Sequence, residues 1–286
     1  MNLLDGKDLG RLNNHELRSI VNALLTAEAG RWHIPLGDLD LSTRETDPDA
    51  GIDARVKWPM NGHDILKNGE NVIQYKSGKL SLKELRTEFR KPGVQAALKN
   101  GGVYLILVSQ DYVRKDVIRL REKELRRLCV RKKIPSHRAT ILFGTAIARW
   151  ISRFPAVVAR PELRQNIHEF ITVRRWREGN TQMSNPFKAD LERSETLKRI
   201  RDFLDSSNGE ATLRLEGPTG VGKTRLALEA VSDPRYESRT LYAHNADNAE
   251  VQPFLSWIYA DAEKSAIAVV DECDATRQAV TQACKW

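Results

Sequence analysis

Residues 71–78, NVIQYKSG, decide how the first half of this chain folds. The apolar residues of this stretch predict a buried β-strand. Gln74 and Lys76 are two residues apart, so they project from the same face of that strand. Because taking an ammonium group out of water is costly, a lysine here needs a partner or a chemical role. The stretch therefore predicts a strand and, on one of its faces, a candidate site.

The surrounding sequence predicts a mixed α/β domain. GIDARVKW, residues 51–58, alternates between apolar and polar residues, as a half-buried strand does. GVYLILVS, residues 102–109, is a continuous apolar run that favours a central strand. Helices are predicted over 14–29, over 81–100 with an interruption near Pro92, and over 111–133, and a last strand in ATILFGTAIA, residues 139–148. This order fits a mixed sheet with helices packed on it.

Composition excludes several classes of protein. The chain has 286 residues, of which 41% are hydrophobic and 29% charged, values typical of a globular protein. Its three cysteines and six histidines are scattered, which argues against a disulfide framework and a zinc site. No apolar run of about 18 residues predicts a transmembrane helix, and the N-terminus lacks a signal-peptide pattern. We expect a cytoplasmic protein without a membrane partner.

Charge divides the chain into two parts. Residues 1–184 carry 33 Lys and Arg against 21 Asp and Glu, a balance of +12, whereas residues 185–286 carry 13 against 17, a balance of −4. The sum is the net charge of +8. A basic part attracts polyanions, most simply nucleic acid. The charged helix over 111–133 is compatible with a DNA contact and equally with a solvated face.

The second part contains a phosphate-binding motif. ATLRLEGPTGVGKTRLALEAV, residues 211–231, predicts a short strand, a glycine-rich loop and a helix. The loop matches the pattern G-x-x-x-x-G-K-[ST], in which backbone N–H groups surround phosphate oxygens. Its lysine places a positive charge by the β- and γ-phosphates, and its threonine hydroxyl can bind Mg²⁺. We expect ATP and Mg²⁺ to bind at Gly217, Pro218, Thr219, Gly220, Val221, Gly222, Lys223 and Thr224.

A second element of the nucleotide site follows 48 residues after the loop lysine. SAIAVVDE, residues 265–272, predicts a buried strand that ends in two acids. Asp271 is placed to hold the Mg²⁺ shell, and Glu272 to polarise an attacking water. The alternative is a buried strand that merely ends in charged residues.

Asp53, Gln74 and Lys76 offer the groups that metal-dependent phosphodiester cleavage requires. Mg²⁺ (or Mn²⁺) prefers hard oxygen ligands, which Asp53 and the amide of Gln74 can supply. A lysine beside the metal can orient the attacking hydroxide and stabilise developing charge. Glu28 continues the apolar stripe of the first helix, so it points toward the core and could restore the negative charge that Gln74 lacks.

The strings DAGIDARV and VIQYKSG, with the helical acid Glu28 upstream, resemble the PD-(D/E)xK nuclease superfamily, in particular its Mrr-like restriction-endonuclease branch. That branch often has glutamine where other members have an acid. The resemblance implies that Asp53 binds metal, Gln74 completes the metal site, and Lys76 is the catalytic lysine. The alternatives are that Asp53 caps a turn, Lys76 snorkels from an edge strand, and Glu28 is only a salt-bridge partner of Lys76.

The fold expected is α/β: a mixed-sheet, restriction-endonuclease-like domain with its connecting segment over residues 1–180, then the start of a parallel-sheet P-loop NTPase domain over 181–286. This combination resembles the STAND NTPases of bacterial antiphage defence. The resemblance implies a DNA endonuclease controlled by nucleotide-dependent self-association, with a phage protein as trigger.

The chain ends fourteen residues after Glu272. We therefore expect an incomplete NTPase domain, poorly packed alone, with weak or no NTP hydrolysis. Two alternatives to the gated nuclease stay open. One is a non-catalytic module that grips DNA while an ATPase remodels it, and the other is an ATP-dependent restriction or repair nuclease.

Overall fold

The computed structural model describes residues 4–41, 52–59, 61–111, 115–165, 170–179, 186–206, 211–244, 257–258 and 264–271. The chain divides into two compact units, the first over residues 2–152 and the second from residue 153 onward. The sequence predicts the boundary between the two domains near residue 180. Residues 171–179 fall in the second unit because their strand pairs with that unit's sheet.

The first unit is built on a mixed five-stranded sheet in the order β1-β2-β3-β4-β5. The first three strands are antiparallel to one another, and β3, β4 and β5 run parallel. Their bounds are β1 (Leu39–Leu41), β2 (Ala54–Trp58), β3 (Gly69–Lys76), β4 (Val103–Val108) and β5 (Ala139–Phe143). The prediction of a mixed sheet with helices is confirmed for this unit.

Helices cover both faces of this sheet: α1 (Gly6–Leu9), α2 (Asn14–Arg31), α3 (Leu82–Phe89), α4 (Pro92–Lys99), α5 (Lys115–Arg131) and α6 (Gly144–Ile151). Side chains alternate along β3. Val72 belongs to one core with Phe89 of α3 and Leu125 of α5. Tyr75 points to the opposite face, where its hydroxyl donates to Asn22 of α2. Gln74 and Lys76 therefore lie on the α3–α5 face.

The predicted strand in ATILFGTAIA ends earlier than expected. β5 stops at Phe143 and the remaining residues begin α6. Ile147, Ala148 and Ile151 are all buried at helical spacing, so this segment packs one apolar face as a helix. The strand-like composition of the stretch did not reveal that change of period.

The second unit contains a three-stranded sheet in the order β6-β7-β8. β7 pairs antiparallel with β6 and parallel with β8, so the expected parallel sheet is present only in part. The elements are α7 (Pro155–Val158), β6 (Ile171–Thr172), α8 (Val173–Gly179), α9 (Leu191–Ser206), α10 (Lys223–Val231), α11 (Pro234–Glu237), β7 (Thr240–Ala243) and β8 (Ile267–Val270). None of the described helices is long and apolar enough to span a bilayer.

The strand predicted just before the phosphate loop is absent. Residues 211–218 have no regular secondary structure, and Leu213 is exposed. The segment before the loop pairs with none of the strands β6, β7 and β8.

Candidate functional site

The candidate site of the first unit is built on the α3–α5 face of β3. Nζ of Lys76 lies 2.6 Å from Oε1 of Glu88 on α3. Gln74, buried on the same face, donates its amide N–H to Oε2 of Glu88. The amide of Gln74 and the ammonium of Lys76 lie on the same face of β3, and both bind the carboxylate of Glu88.

The carboxylate of Glu88 also contacts a second ammonium group, that of Lys91 directly before α4. Nζ of Lys91 lies 2.5 Å from Oε2 of Glu88, whose side chain is 9% exposed. Burial alone would raise the pKa of Glu88. The hydrogen bonds that its carboxylate accepts outweigh burial and hold that pKa below the ordinary glutamate value. Glu88 is therefore a carboxylate anion at neutral pH.

The orientation of the Gln74 amide is fixed by its two neighbours. The Glu88 carboxylate can only accept, so the NH₂ group must face it. The carbonyl oxygen of Gln74 accepts from the hydroxyl of Tyr104, which is fully buried on β4. Burial, and then the negative charges of Glu88 and Asp53, raise the pKa of Tyr104 well above its ordinary value, so its hydroxyl stays a donor.

Asp53 directly precedes β2 and is hydrogen-bonded to β3. Its N–H donates to the carbonyl of Ile73 at 2.9 Å. Its carboxylate accepts from the backbone N–H of Tyr75 at 2.8 Å and from the guanidinium of Arg18 on α2 at 3.0 Å. The carboxylate thus continues the hydrogen bonding to β3 before the first residue of β2. It also forms an ion pair with α2.

Glu28 lies in different surroundings from those that the resemblance implies. Its carboxylate accepts from the indole N–H groups of Trp32, at 2.9 Å, and of Trp150. Nε2 of His63 lies 3.2 Å away in a poorly aligned contact. Because Nδ1 of His63 accepts two backbone N–H groups, the ring proton is on Nε2 and faces Glu28.

The alternative in which Glu28 is a salt-bridge partner of Lys76 is not what the structure shows. The carboxylate of Glu28 is fully buried among aromatic rings, whereas the ion-pair partner of Lys76 is Glu88. Burial alone would raise the pKa of Glu28, but the N–H groups around it outweigh burial and lower that pKa. Glu28 acts here as a buried acceptor for two indole N–H groups, with the His63 ring close by.

Sequence reasoning missed Glu88 although its signal is present. Glu88 lies three residues after the buried Leu85 and directly before the buried Phe89, so it falls on the apolar stripe of α3. This is the criterion that selected Glu28. Arg18, by contrast, gives no such signal, because only the fold shows that its side chain reaches Asp53.

The second unit brings together the phosphate loop and the acid after β8. Gly220 and Gly222 have φ of +81° and +96°, a region that favours glycine, and α10 begins at Lys223. The hydroxyl of Thr224 donates to Asp271 at 2.7 Å. As predicted, Asp271 directly follows a strand, but that strand, β8, is only partly buried, and Glu272 lies outside the described residues.

Two further contacts shape this candidate nucleotide site. Nζ of Lys223 donates to the carbonyls of Gly217, at 2.8 Å, and Pro218, at 3.1 Å, so it folds back over the loop. The hydroxyl of Tyr242 on β7 lies 3.3 Å from Asp271 and its ring stacks on Trp176 at 3.8 Å. Sequence reasoning had not assigned Tyr242 a place beside Asp271.

The donor types in the first unit fit Mg²⁺, which takes hard oxygens and needs only one or two carboxylates. Asp53 and Glu88 supply carboxylates, and each carboxylate oxygen can accept more than one contact. Within the described part of the chain, no group of three or more His, Cys, Asp or Glu residues is arranged to hold a metal ion. Comparisons with protein-family models, curated proteins and solved structures found no match to this chain.

Proposed function

We propose that the first unit is a Mg²⁺-dependent DNA endonuclease of the restriction-endonuclease-like class, PD-(D/E)xK, and that the second is a nucleotide-binding P-loop module that controls it. The observation that carries this proposal is the ion pair of Lys76 with Glu88, whose carboxylate also accepts from Gln74, on the strand whose Tyr75 N–H binds Asp53. A lysine and two acids held by one strand are the groups that metal-dependent hydrolysis of a phosphodiester uses.

The chain's own residues divide the work of such a site. Asp53 and Glu88 are the residues that would hold Mg²⁺, which when bound supplies charge neutralisation and a more acidic water. Lys76, 30% exposed, keeps its ammonium at the boundary between the core and solvent. There it orients the attacking water and stabilises negative charge on the phosphate as the P–O bond to the leaving group breaks.

The control module is proposed from the second unit. Thr224 and Asp271 would share the Mg²⁺ of ATP, and Lys223 would leave the carbonyls that it now contacts to meet the phosphates. Nucleotide binding would favour self-association of the chain, as in the STAND NTPases that the sequence resembles. A phage protein remains the proposed trigger and antiphage defence the proposed setting, in the cytoplasm.

A second candidate, a non-catalytic DNA-binding module, is favoured by one specific observation. Both carboxylates are already neutralised, Asp53 by Arg18 and Glu88 by two lysines. A domain that has lost catalysis would also keep ion pairs of this kind, because they stabilise the fold. The balance of +12 over residues 1–184 supports DNA binding in either case.

Plasmid cleavage tests the proposal. The wild-type chain is incubated with supercoiled plasmid and Mg²⁺ or Mn²⁺ at concentrations that force self-association, beside Lys76→Ala. Lys99→Ala, an exposed lysine at the end of α4, is the matched control. We expect nicking or linearisation by wild type and Lys99→Ala, and a loss of about a hundredfold or more in Lys76→Ala.

Absence of cleavage by the wild-type chain, with equal DNA binding by all three proteins, would instead support the binding module. Adding ATP to the same reactions tests the control module. Cleavage that Lys76→Ala retains in full would sink the assignment of the site.

A further inference from the structure

The position where a second acid is expected carries an amide. Gln74 stands two residues before Lys76 on β3, and its amide has no negative charge to offer a divalent cation. In its place α3 brings Glu88 to the same point: Oε2 of Glu88 accepts from the Gln74 amide and Oε1 from Lys76. The missing charge has therefore moved from the strand to the adjoining helix.

Gln74 and Tyr104 form a support for this carboxylate. The Tyr104 hydroxyl donates to the Gln74 carbonyl, which turns the amide N–H toward Glu88. Both supporting side chains are buried, so they have little freedom to adopt another arrangement. A chain of hydrogen bonds that ends on a carboxylate is the usual way of fixing an acidic ligand in place.

Positive groups lie against both acids. Arg18 pairs with Asp53, and Lys76 and Lys91 pair with Glu88, while the carboxylate of Glu84 on α3 also interacts with Lys76. Lys91 comes from the start of α4, and its side chain is 33% exposed. A divalent cation that binds these acids would repel the ammonium groups, and Lys91 can swing into solvent without breaking a strand.

We propose that Glu88 is the second acidic residue of the candidate nuclease site, in place of an acid at position 74. We propose also that the ammonium of Lys91 occupies Oε2 of Glu88 until a divalent cation displaces it. This inference rests on the proposed endonuclease function, because only that function requires a divalent cation at this place.

Exchange of the two side chains tests the proposal directly. Mn²⁺ binding is measured by titration calorimetry on the full chain, with Asp271→Asn in every protein so that the second candidate metal site is removed. The proteins compared are this parent, Glu88→Gln, the exchange variant Gln74→Glu/Glu88→Gln, Lys91→Ala and the control Lys99→Ala. Near-ultraviolet circular dichroism establishes that each protein is folded.

We expect Glu88→Gln to weaken Mn²⁺ binding by about tenfold or more, and the exchange variant to recover most of that loss. The exchange restores the carboxylate two residues from Lys76 while keeping the same two groups in contact. Lys91→Ala should tighten Mn²⁺ binding severalfold relative to Lys99→Ala, because it removes a competing cation. A merely structural Glu88 would leave the Mn²⁺ affinity of the folded Glu88→Gln protein unchanged, because no carboxylate that contacts the ion would have been removed.

Unchanged Mn²⁺ affinity in Glu88→Gln, or no recovery in a folded exchange variant, would overturn the role of Glu88. Equal affinities of Lys91→Ala and Lys99→Ala would overturn the role of Lys91. A parent that binds no Mn²⁺, together with a wild-type chain that cuts no DNA, overturns the endonuclease function and this inference with it. If Asp53→Asn abolishes binding and cleavage while Glu88→Gln affects neither, only this inference fails.

Discussion

Glu28 and Glu88 are both buried acids on helices, yet the donors around them differ in chemistry. Glu28 accepts from two indole N–H groups, which carry no positive charge, whereas Glu88 accepts from two ammonium groups and an amide. Uncharged donors fix a carboxylate in place. Exchangeable ammonium groups leave it able to accept another cation, which is why the proposed function involves Glu88 and not Glu28.

Replacing Glu28 by glutamine tests its structural role. We expect Glu28→Gln to lower the free energy of unfolding at pH 7 by about 2 kcal/mol or more. The amide has one acceptor oxygen, so one of the two indole N–H groups would face an NH₂ group instead. Urea unfolding followed by tryptophan fluorescence measures the change, with the exposed Glu192→Gln on α9 as control.

The effect of Glu28→Gln on the free energy of unfolding should depend on pH. The pKa of Glu28 is lower in the folded chain than the ordinary value of 4.5, so the carboxylate stabilises the fold above that value. This contribution is lost as the pH falls through the lower, folded pKa. The difference in unfolding free energy between wild type and Glu28→Gln should therefore narrow below about pH 4.5, and a difference that stays constant there would contradict the prediction.

The element that decides the geometry of the first site is α3, which begins at a capping box. Oγ of Ser81 accepts from the N–H of Glu84 at 3.1 Å, and Oε2 of Glu84 accepts from the N–H of Ser81 at 2.7 Å. The two contacts fix where the helix starts and hence where Glu88, nearly two turns later, meets β3.

Removing this cap should destabilise the first unit. We expect Ser81→Ala to lower the free energy of unfolding by about 1 kcal/mol, because the backbone N–H of Glu84 loses the hydroxyl that accepts from it. Lys83→Ala, exposed on the same helix, should change it by less than about 0.5 kcal/mol. Urea denaturation compares the two variants with wild type, and equal effects of both would argue against a role for the cap.

Periodicity predicted the elements that bury an apolar face and failed where tertiary contacts decide. β2 is the clear success, since all its apolar residues are buried as its alternation predicts. The strand expected just before the phosphate loop is not formed, because a strand depends on pairing with a neighbour in the sheet, which composition cannot show. The same limit applies to the site: Asp53 and Lys76 follow from local pattern, whereas Arg18 reaches Asp53 only through packing of α2 on the sheet.

At the scale of the whole chain, charge and chemistry divide in the same way. The basic part carries the candidate nuclease site, and the acidic part carries the phosphate loop. Under the proposed function, DNA binding and nucleotide binding belong to separate units. Separate units allow one ligand to control the response to another, because each can shift the stability or self-association of the chain on its own.

Nucleotide binding by the second unit gives the last prediction. MgATP at a hundredfold excess over its dissociation constant should stabilise the folded unit by about 2.7 kcal/mol, raising its unfolding temperature in scanning calorimetry. Lys223→Ala should remove most of this shift, because the loop then lacks the ammonium that would meet the phosphates. Lys188→Ala, an exposed lysine of the same unit, should keep the full shift. An equal shift in both variants would mean that ATP stabilises the chain elsewhere than at the loop from Gly217 to Thr224.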